Sequence, residues 1–499
     1  MLCKHLVGEQ SLLATARCAA APTRPFPAKL DAVTTARIRL LGPFVLRFGG
    51  TSQDMEQYIG DNSPFLPKLP HAPAGRCNLT NERWSDLTSF AAAVNARLVY
   101  GLNGLVRVDG NPAGLWDPAN AKALLHHAAS TAQTAGATST ADNGSMPAAP
   151  LAFQLGNEPS FWGRGANNWC NVTAAQHAAD YATLGKEIKE AFNGTTGMPL
   201  AVGPDLTELT VSSAATEYMG AFLAANPALD VVTIHVYPIE GARDGPPAAD
   251  QMYNSTLLDT SFKAAQSAVQ LTSAHLGDKV PVWVSEGSPN WRASRTLQSS
   301  VLFELANVDM LGSFARAGVR LYARQSLSSV VGPGVTNPGY WVTLLWKQLM
   351  GDNVLHAAVH GGAGSLLRTY SHEDAQARGY VVLLINISPA DRVLVQLAAQ
   401  NSSSMRSATC SIQEEYHVTA GSGNNRSNSG ADGDEAGSDA NAGSVVLING
   451  VAPCFKSSTD ATRPRFKAKQ TTCGTPVKVE PLSFTFVAVR PVPHAHSHE

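Results

Sequence analysis

From Phe44 to Met350 the chain repeats one pattern: a short apolar run that ends in polar residues, then a stretch with helical spacing. The runs fall at 44–51, 97–103, 151–155, 199–205, 229–238, 280–286 and 319–325. The stretches at 81–95, 120–135, 174–192, 214–225, 257–275, 298–317 and 341–350 read as helices. Strands joined by helical crossovers pair in parallel and are buried on both faces. Closed on itself, such a sheet is the (β/α)8 TIM barrel, whose polar strand ends gather at one mouth. Seven runs are counted where eight are needed, and 1–40 offers no recognisable strand. The first strand is therefore expected to be missing or divergent, with 1–40 a divergent N-terminal segment and 41–351 the barrel.

Past Gly351 the character changes. Runs at 380–387, 445–448 and 482–490, set in turn-rich sequence, predict a smaller antiparallel β domain over 352–499. Residues 420–444 are almost wholly Gly, Ser, Asn, Asp and Ala and are expected to be disordered. A flexible surface insertion is expected at 137–149, and the His-rich tail 494–498 reads as solvated.

The chemistry is concentrated at strand ends. The run 151–155 stops in Gly156-Asn157-Glu158-Pro159, where Pro159 removes a backbone donor, and the run from Val280 stops at Glu286. Two carboxyl groups at one barrel mouth are what glycoside hydrolysis needs. In the retaining form they stand roughly 5–5.5 Å apart, one donating a proton and the other attacking C1. Asn157 is placed to meet a sugar 2-hydroxyl. His235 and Tyr237, two apart on a strand, share a face, and Tyr237 would hold an ionised nucleophile. Arg47 would support Glu286 electrostatically or pair with a structural acid, and Gln325 ends the last strand. Trp162, Trp169 and Trp291 follow the two glutamates and would stack on a sugar or fill the core. Taken singly, Glu158, Glu286, His235 and Tyr237 read better as cap, loop or core residues; together they point to catalysis.

The motifs Leu46-Arg47-Phe48-Gly49-Gly50-Thr51, Tyr100-Gly101-Leu102-Asn103, Gly156-Asn157-Glu158-Pro159, Gly203-Pro204-Asp205, Thr233-Ile234-His235-Val236-Tyr237, Val282-Trp283-Val284-Ser285-Glu286 and Arg324-Gln325-Ser326-Leu327 follow one another in an order that resembles the heparanase-like glycoside hydrolases, plant-type members especially. Asn337-Pro338-Gly339-Tyr340-Trp341 and the closing Leu482-Ser483-Phe484-Thr485-Phe486 extend the likeness over nearly the whole chain. The resemblance implies a (β/α)8 barrel with a C-terminal β-sandwich and a retaining β-glucuronidase that needs no cofactor or metal. By position it implies Glu158 as acid/base and Glu286 as nucleophile. Thr51, Asn157, His235, Tyr237 and Gln325 match sugar-contacting or supporting positions.

The chain departs from that pattern at the substrate loops. Gly287-Ser288-Pro289-Asn290-Trp291-Arg292 replaces a Gly-rich segment, and the loop after Gln325 is short. Arg292 or Arg295 is expected to take over the glucuronate carboxylate, since a guanidinium grips it bidentately. The basic clusters with which the animal members hold sulfated chains have no counterpart. The expected partner is thus a glucuronic-acid-bearing oligosaccharide or polysaccharide, such as an arabinogalactan side chain. The alternatives are a β-glycosidase of different sugar specificity and a non-catalytic glycan-binding protein.

With charged residues at 15% and a formal net charge of −2, no global basic balance points to nucleic acid. No apolar run is long enough for a membrane helix. The seven cysteines form no CxxC pair, which argues against zinc. Sequons at Asn78, Asn143, Asn171, Asn193, Asn254, Asn386, Asn401 and Asn425 favour a secreted glycoprotein acting outside the cell, at the wall or membrane surface, or in a lysosome or vacuole. Cys77 with Cys170, and two of the three C-terminal cysteines, are the expected disulfides. Residues 1–22 make a poor signal peptide, so the chain is expected to begin inside a longer protein.

Overall fold

The computed structural model describes residues 10–14, 30–60, 63–64, 77–138, 150–163, 171–195, 197–207, 209, 212–239, 246–332, 335–362, 366–398, 410–421 and 445–491. Eight parallel strands close into a barrel. They are β1 (Gln10–Ala14), β2 (Phe44–Phe48), β3 (Ala96–Leu102), β4 (Ala152–Leu155), β5 (Leu200–Leu206), β6 (Val231–Val236), β7 (Val282–Gly287) and β8 (Leu321–Gln325). Outside them, in chain order, lie α1 (Ala32–Arg39), α2 (Asn81–Ala93), α3 (Ala119–Thr138), α4 (Ala174–Ala191), α5 (Ser213–Ala224), α6 (Ser255–Leu276), α7 (Val301–Ala317) and α8 (Pro338–Leu349).

The first strand is therefore divergent rather than missing. β1 pairs with β8 on one side and β2 on the other. Its five residues carry little strand signal alone, and two flanking ladders supply what local propensity does not.

Helix starts follow from short polar side chains. Asp31, Thr80, Thr173, Ser212, Asn254 and Ser300 each accept from a backbone N–H in the first turn of the helix they precede, meeting one of its orphan donors. α8 instead begins with Pro338, whose missing N–H costs nothing there. Among the described residues no helix is long and apolar enough to cross a membrane.

The C-terminal part is built from β9 (Met350–Leu355), β10 (Leu367–Asp374), β11 (Tyr380–Asn386), β12 (Val393–Val395), β13 (Cys410–Gly421), β14 (Val445–Ile448), β15 (Lys469–Thr472), β16 (Val477–Val479) and β17 (Ser483–Pro491). Seven of these make one antiparallel sheet, and β12 with β16 makes a separate two-stranded ribbon. Alternation along β11 divides its faces. Val382 and Leu384 pack with Val477 and Val479 of the ribbon, while Leu383 and Ile385 join the barrel's outer core. The expected sandwich is thus present in part, its second layer reduced to a ribbon. β10 and β13 escape sequence reading because their buried positions include His372, Asp374, Gln413 and Glu415.

Cys473 is disulfide-bonded, and Cys454 is free and exposed. Cys170, the tail, most of 137–149 and all but the first two residues of 420–444 lie outside the described residues. The Asn386 sequon is closed, because its fully buried amide donates to the carbonyls of Asp391, Val479 and Glu480.

Candidate active site

The barrel interior is layered by the period of two along its strands. Val45, Ala152, Trp283 and Ala323 belong to an apolar plug, and two residues further on stand Arg47, Gln154, Ser285 and Gln325. The polar layer therefore sits directly on the apolar one at the C-terminal ends of the strands.

Strict alternation would turn Glu286 outward once Ser285 faces in. A β-bulge prevents this. Val284 pairs with Ile234 and Tyr322, but the next partners are Glu286 opposite His235 and Gly287 opposite Arg324, so β7 carries one extra residue against both neighbours. Ser285 Oγ donates to Asp205 Oδ1 at 2.6 Å, and Glu286 Oε2 accepts from Arg47 at 2.7 Å. β5 has a similar irregularity between Pro204 and Leu206, where Asp205 takes φ +58°.

Glu158, just past β4, also lies in the left-handed region, at φ +49°. For a non-glycine residue this costs on the order of 1 kcal/mol or more, and it persists only where the surroundings impose it. Here they do. Asp54, in the turn after β2, accepts from the Asn157 N–H (2.9 Å), the Gly104 N–H (2.9 Å) and the Trp162 indole (3.2 Å). The indole also donates to the Asn157 carbonyl at 3.0 Å. A Cβ on Gly156 would lie 2.2 Å from that ring, and Gly156 itself has φ +76°. Burial pushes the Asp54 carboxyl up to about 7 against those three hydrogen bonds.

Arg47 organises the centre. Fully buried, it donates to Gln154 Oε1 (2.6 Å), Glu286 Oε2 (2.7 Å), Asp205 Oδ2 (2.6 Å) and Asn157 Oδ1 (3.2 Å). Burial opposes ionisation of Asp205, but Arg47 and His235 outweigh it and hold this carboxyl below its ordinary range. The other oxygen of Glu286 accepts from the Tyr237 hydroxyl and, at 3.0 Å, from Gln325. Tyr237 is itself pushed well above the usual phenol range by burial and by Glu286. His235 Nδ1 is 2.9 Å from Glu158 Oε1, and its Nε2 stands 3.7 Å from Asp205, beyond hydrogen-bond reach. Burial works against a charge on His235, yet Glu286 and Asp205 raise it to about 9.

A stability consequence follows from His235. Its proton is held more tightly in the folded state than the ordinary value near 6.5, so its contribution is complete below about 6.5. It is lost as pH climbs through about 9. Denaturant unfolding between those pH values should show stability falling with a slope of up to about one proton, and the slope should vanish in His235→Gln. An unchanged slope in the variant would assign the effect elsewhere.

The remaining expected site residues divide. Thr51 is exposed at the start of the turn after β2, on the mouth side. Trp291 is half exposed, with the Arg292 guanidinium 4.5 Å above its ring, and Arg295 is exposed nearby in sequence. Trp162 is a core residue under the Glu158 turn, and Trp169 lies outside the described residues. Sequence reading passed over Asp205, Gln154, Ser285 and Asp54. Asp205 carried the same signal as the glutamates, an acid closing an apolar strand, and Gln154 was the one polar residue inside the 151–155 run.

An oxygen of Glu158, an oxygen of Glu286 and a ring nitrogen of His235 lie within 4.8 Å of one another. One carboxylate is clamped from both sides by donors; the other is partly exposed and bonded to a histidine. Such a pair can attack an electrophilic carbon and exchange a proton with the departing oxygen.

Known proteins are similar to this chain in sequence and in fold. The family described as "Glycosyl hydrolase family 79, N-terminal domain" matches residues 29–312. Heparanase-like protein 3 of Arabidopsis thaliana is 26% identical over 91% of this chain and 83% of its own length. The baicalin-beta-D-glucuronidase of Scutellaria baicalensis is 24% identical over 77% of this chain and 72% of its own. Among solved structures, a 4-O-alpha-L-rhamnosyl-beta-D-glucuronidase from Fusarium oxysporum superposes with a TM-score of 0.61 at 15% identity, covering 97% of this chain and 99% of that one. This last likeness is one of fold.

Proposed function

The chain belongs to glycosyl hydrolase family 79, and on that footing we propose that it is a retaining β-glucuronidase acting on glucuronic-acid-bearing glycans, with Glu286 as nucleophile and Glu158 as acid/base. The observation that carries this reading is the convergence of the two carboxylates to within 4.8 Å in unlike surroundings. Glu286 attacks C1 as the C1–O bond breaks, and the leaving oxygen takes its proton from Glu158, the partly exposed member of the Glu158–His235 pair. Water then attacks C1 of the glycosyl-enzyme, returns a proton to Glu158 and frees Glu286. Arg47, Tyr237 and Gln325 hold Glu286 aimed, and Asn157 faces the sugar from beside the acid.

The glucuronide specificity is supported by the likeness to the Scutellaria baicalin-beta-D-glucuronidase and by the guanidinium groups that follow β7. A secreted or wall-associated place of action fits the exposed sequon residues Asn78, Asn171, Asn193 and Asn254.

Hydrolysis of an aryl β-glucuronide, followed by NMR, is expected to release the β-anomer first and to outpace aryl β-glucoside and galactoside. Preference for either neutral glycoside would overturn the glucuronide reading. Glu158→Gln should slow glycan cleavage by roughly 10²–10⁴-fold, with a smaller loss on aryl glucuronides whose leaving group needs no proton. Equal losses on both substrates would remove Glu158 from the acid role.

A further inference from the structure

The segment Arg463-Pro464-Arg465-Phe466-Lys467-Ala468-Lys469 leads into β15 with every second residue basic. Exposure follows the same beat. The four cations are exposed, the three residues between them are half-buried, and Phe466 and Ala468 pack against the hydrophobic core. An extended backbone that buries alternate side chains has no choice but to present the others in a row. Six residue steps let the first and last cation stand at most about 20 Å apart.

The row runs between two cavities. One, of about 830 Å³, adds Lys347, Arg378 and Arg490 to Arg463 and Arg465; Glu414 is the acid that lines it. The other, of about 870 Å³, adds Lys478 to Arg465, Lys467 and Lys469, with Glu480 as its acid. Some of this charge is matched: Arg378 reaches Asp374, Arg490 reaches Asp374 and Glu414, Lys469 reaches Glu415, and Lys478 reaches Glu480. Among the described residues Arg465 and Lys467 have no acidic partner, and Arg463 is held by the Leu40 carbonyl. On a chain of net charge −2 this is a strong local excess. Leu40 precedes the N-terminal end of β2, so the row lies at the opposite end of the barrel from Glu158 and Glu286.

We propose that this basic row and its two flanking clefts form a second glycan site, which holds a stretch of anionic polysaccharide while the barrel mouth works on a glucuronide. The shared chemistry is a linear chain with anionic groups at regular spacing, carboxylate or sulfate, met by guanidinium forks and ammonium groups. The choice of a glycan as occupant rests on the glucuronidase reading; the row itself does not. Such a site tethers the enzyme to an acidic matrix without entering the catalytic step.

Binding is tested on the full chain carrying Glu286→Gln, so that no probe is consumed. The probes are an oligogalacturonate, a heparin oligosaccharide, a neutral dextran of matched length and a single-stranded oligonucleotide. At least one charged oligosaccharide is expected to bind and dextran is not, with affinity falling as salt screens the charges. In R465S/K467S, whose side chains are exposed, affinity should fall at least tenfold. R465E/K467E should abolish it, and R465K/K467R should keep it. In the active chain R465S/K467S should leave kcat/KM on an aryl β-glucuronide unchanged. Undiminished binding in the charge-reversed variant, or tighter binding of the oligonucleotide than of either oligosaccharide, would overturn the proposal. Failure of the wild-type chain to cleave any aryl glycoside would sink the glucuronidase reading while leaving this binding result to stand or fall alone.

Discussion

Glu286→Ala is expected to lower glycan hydrolysis at least about 10⁴-fold while leaving the fold intact, the scale seen when an attacking group is removed. The side chain is buried among Arg47, Tyr237 and Gln325 at the barrel mouth, so its loss leaves a gap lined by hydrogen-bond donors. Azide added to the variant should occupy that gap, attack C1 from the same face and restore turnover on an activated aryl glucuronide. The product would be the glycosyl azide of inverted configuration, because one displacement has replaced two. Chemistry and stability are separable here, since azide should restore turnover without restoring the thermal stability lost with the Arg47–Glu286 pair. Wild-type turnover in Glu286→Ala would end the nucleophile assignment. An unrescued loss with normal glycan binding would move Glu286 from attack to substrate orientation.

Arg47→Met is expected to damage both stability and activity. The guanidinium touches four acceptors, and two of them, Asp205 and Glu286, are buried carboxylates. Breaking a buried ion pair by removing one partner typically costs about 3–5 kcal/mol, because a charge is left without compensation. Asp205, held below its ordinary range by Arg47 and His235, would then rise, and the stability it contributes above the ordinary carboxylate pKa would shrink. Arg47→Lys should rescue little, since one ammonium does not span acceptors on β4, β5 and β7 at once. Denaturant unfolding of Arg47→Met, Asp205→Asn and the double variant closes a cycle in which the double variant should be more stable than the sum of single losses predicts. Additive losses would mean that the two residues do not act as a pair.

How much of this was legible before the fold is best seen on single residues. Glu158 and Glu286 announced themselves because an acid that closes an apolar strand has few bland explanations once several such strands alternate with helices. Asp205 closed its strand in the same way, but no second motif drew attention to it. Asp54 could not be found at all. Its importance lies in three donors arriving from residues 104, 157 and 162, about 50 to 108 positions away in sequence. Trp162 was open between sugar platform and core, and only the close packing of its ring on Gly156 settles it as core. β1 went unread for a related reason: its stability comes from neighbours contributed by the second and eighth strands.

By itself the sequence determined the parallel barrel, the acids at its strand ends and the resemblance to a glycosidase family. These are properties of local period and composition, and period survives without tertiary contacts. Only the tertiary structure decided that Glu286 faces the interior beside Ser285, since an extra residue in β7 overrides the alternation that would have turned it away. It also decided that Arg47 belongs to four partners at once, and that Arg463 to Lys469 line up at the far end of the barrel. A bulge, a shared guanidinium and a charged row are each defined by what lies across from them, and that is set only when the chain closes.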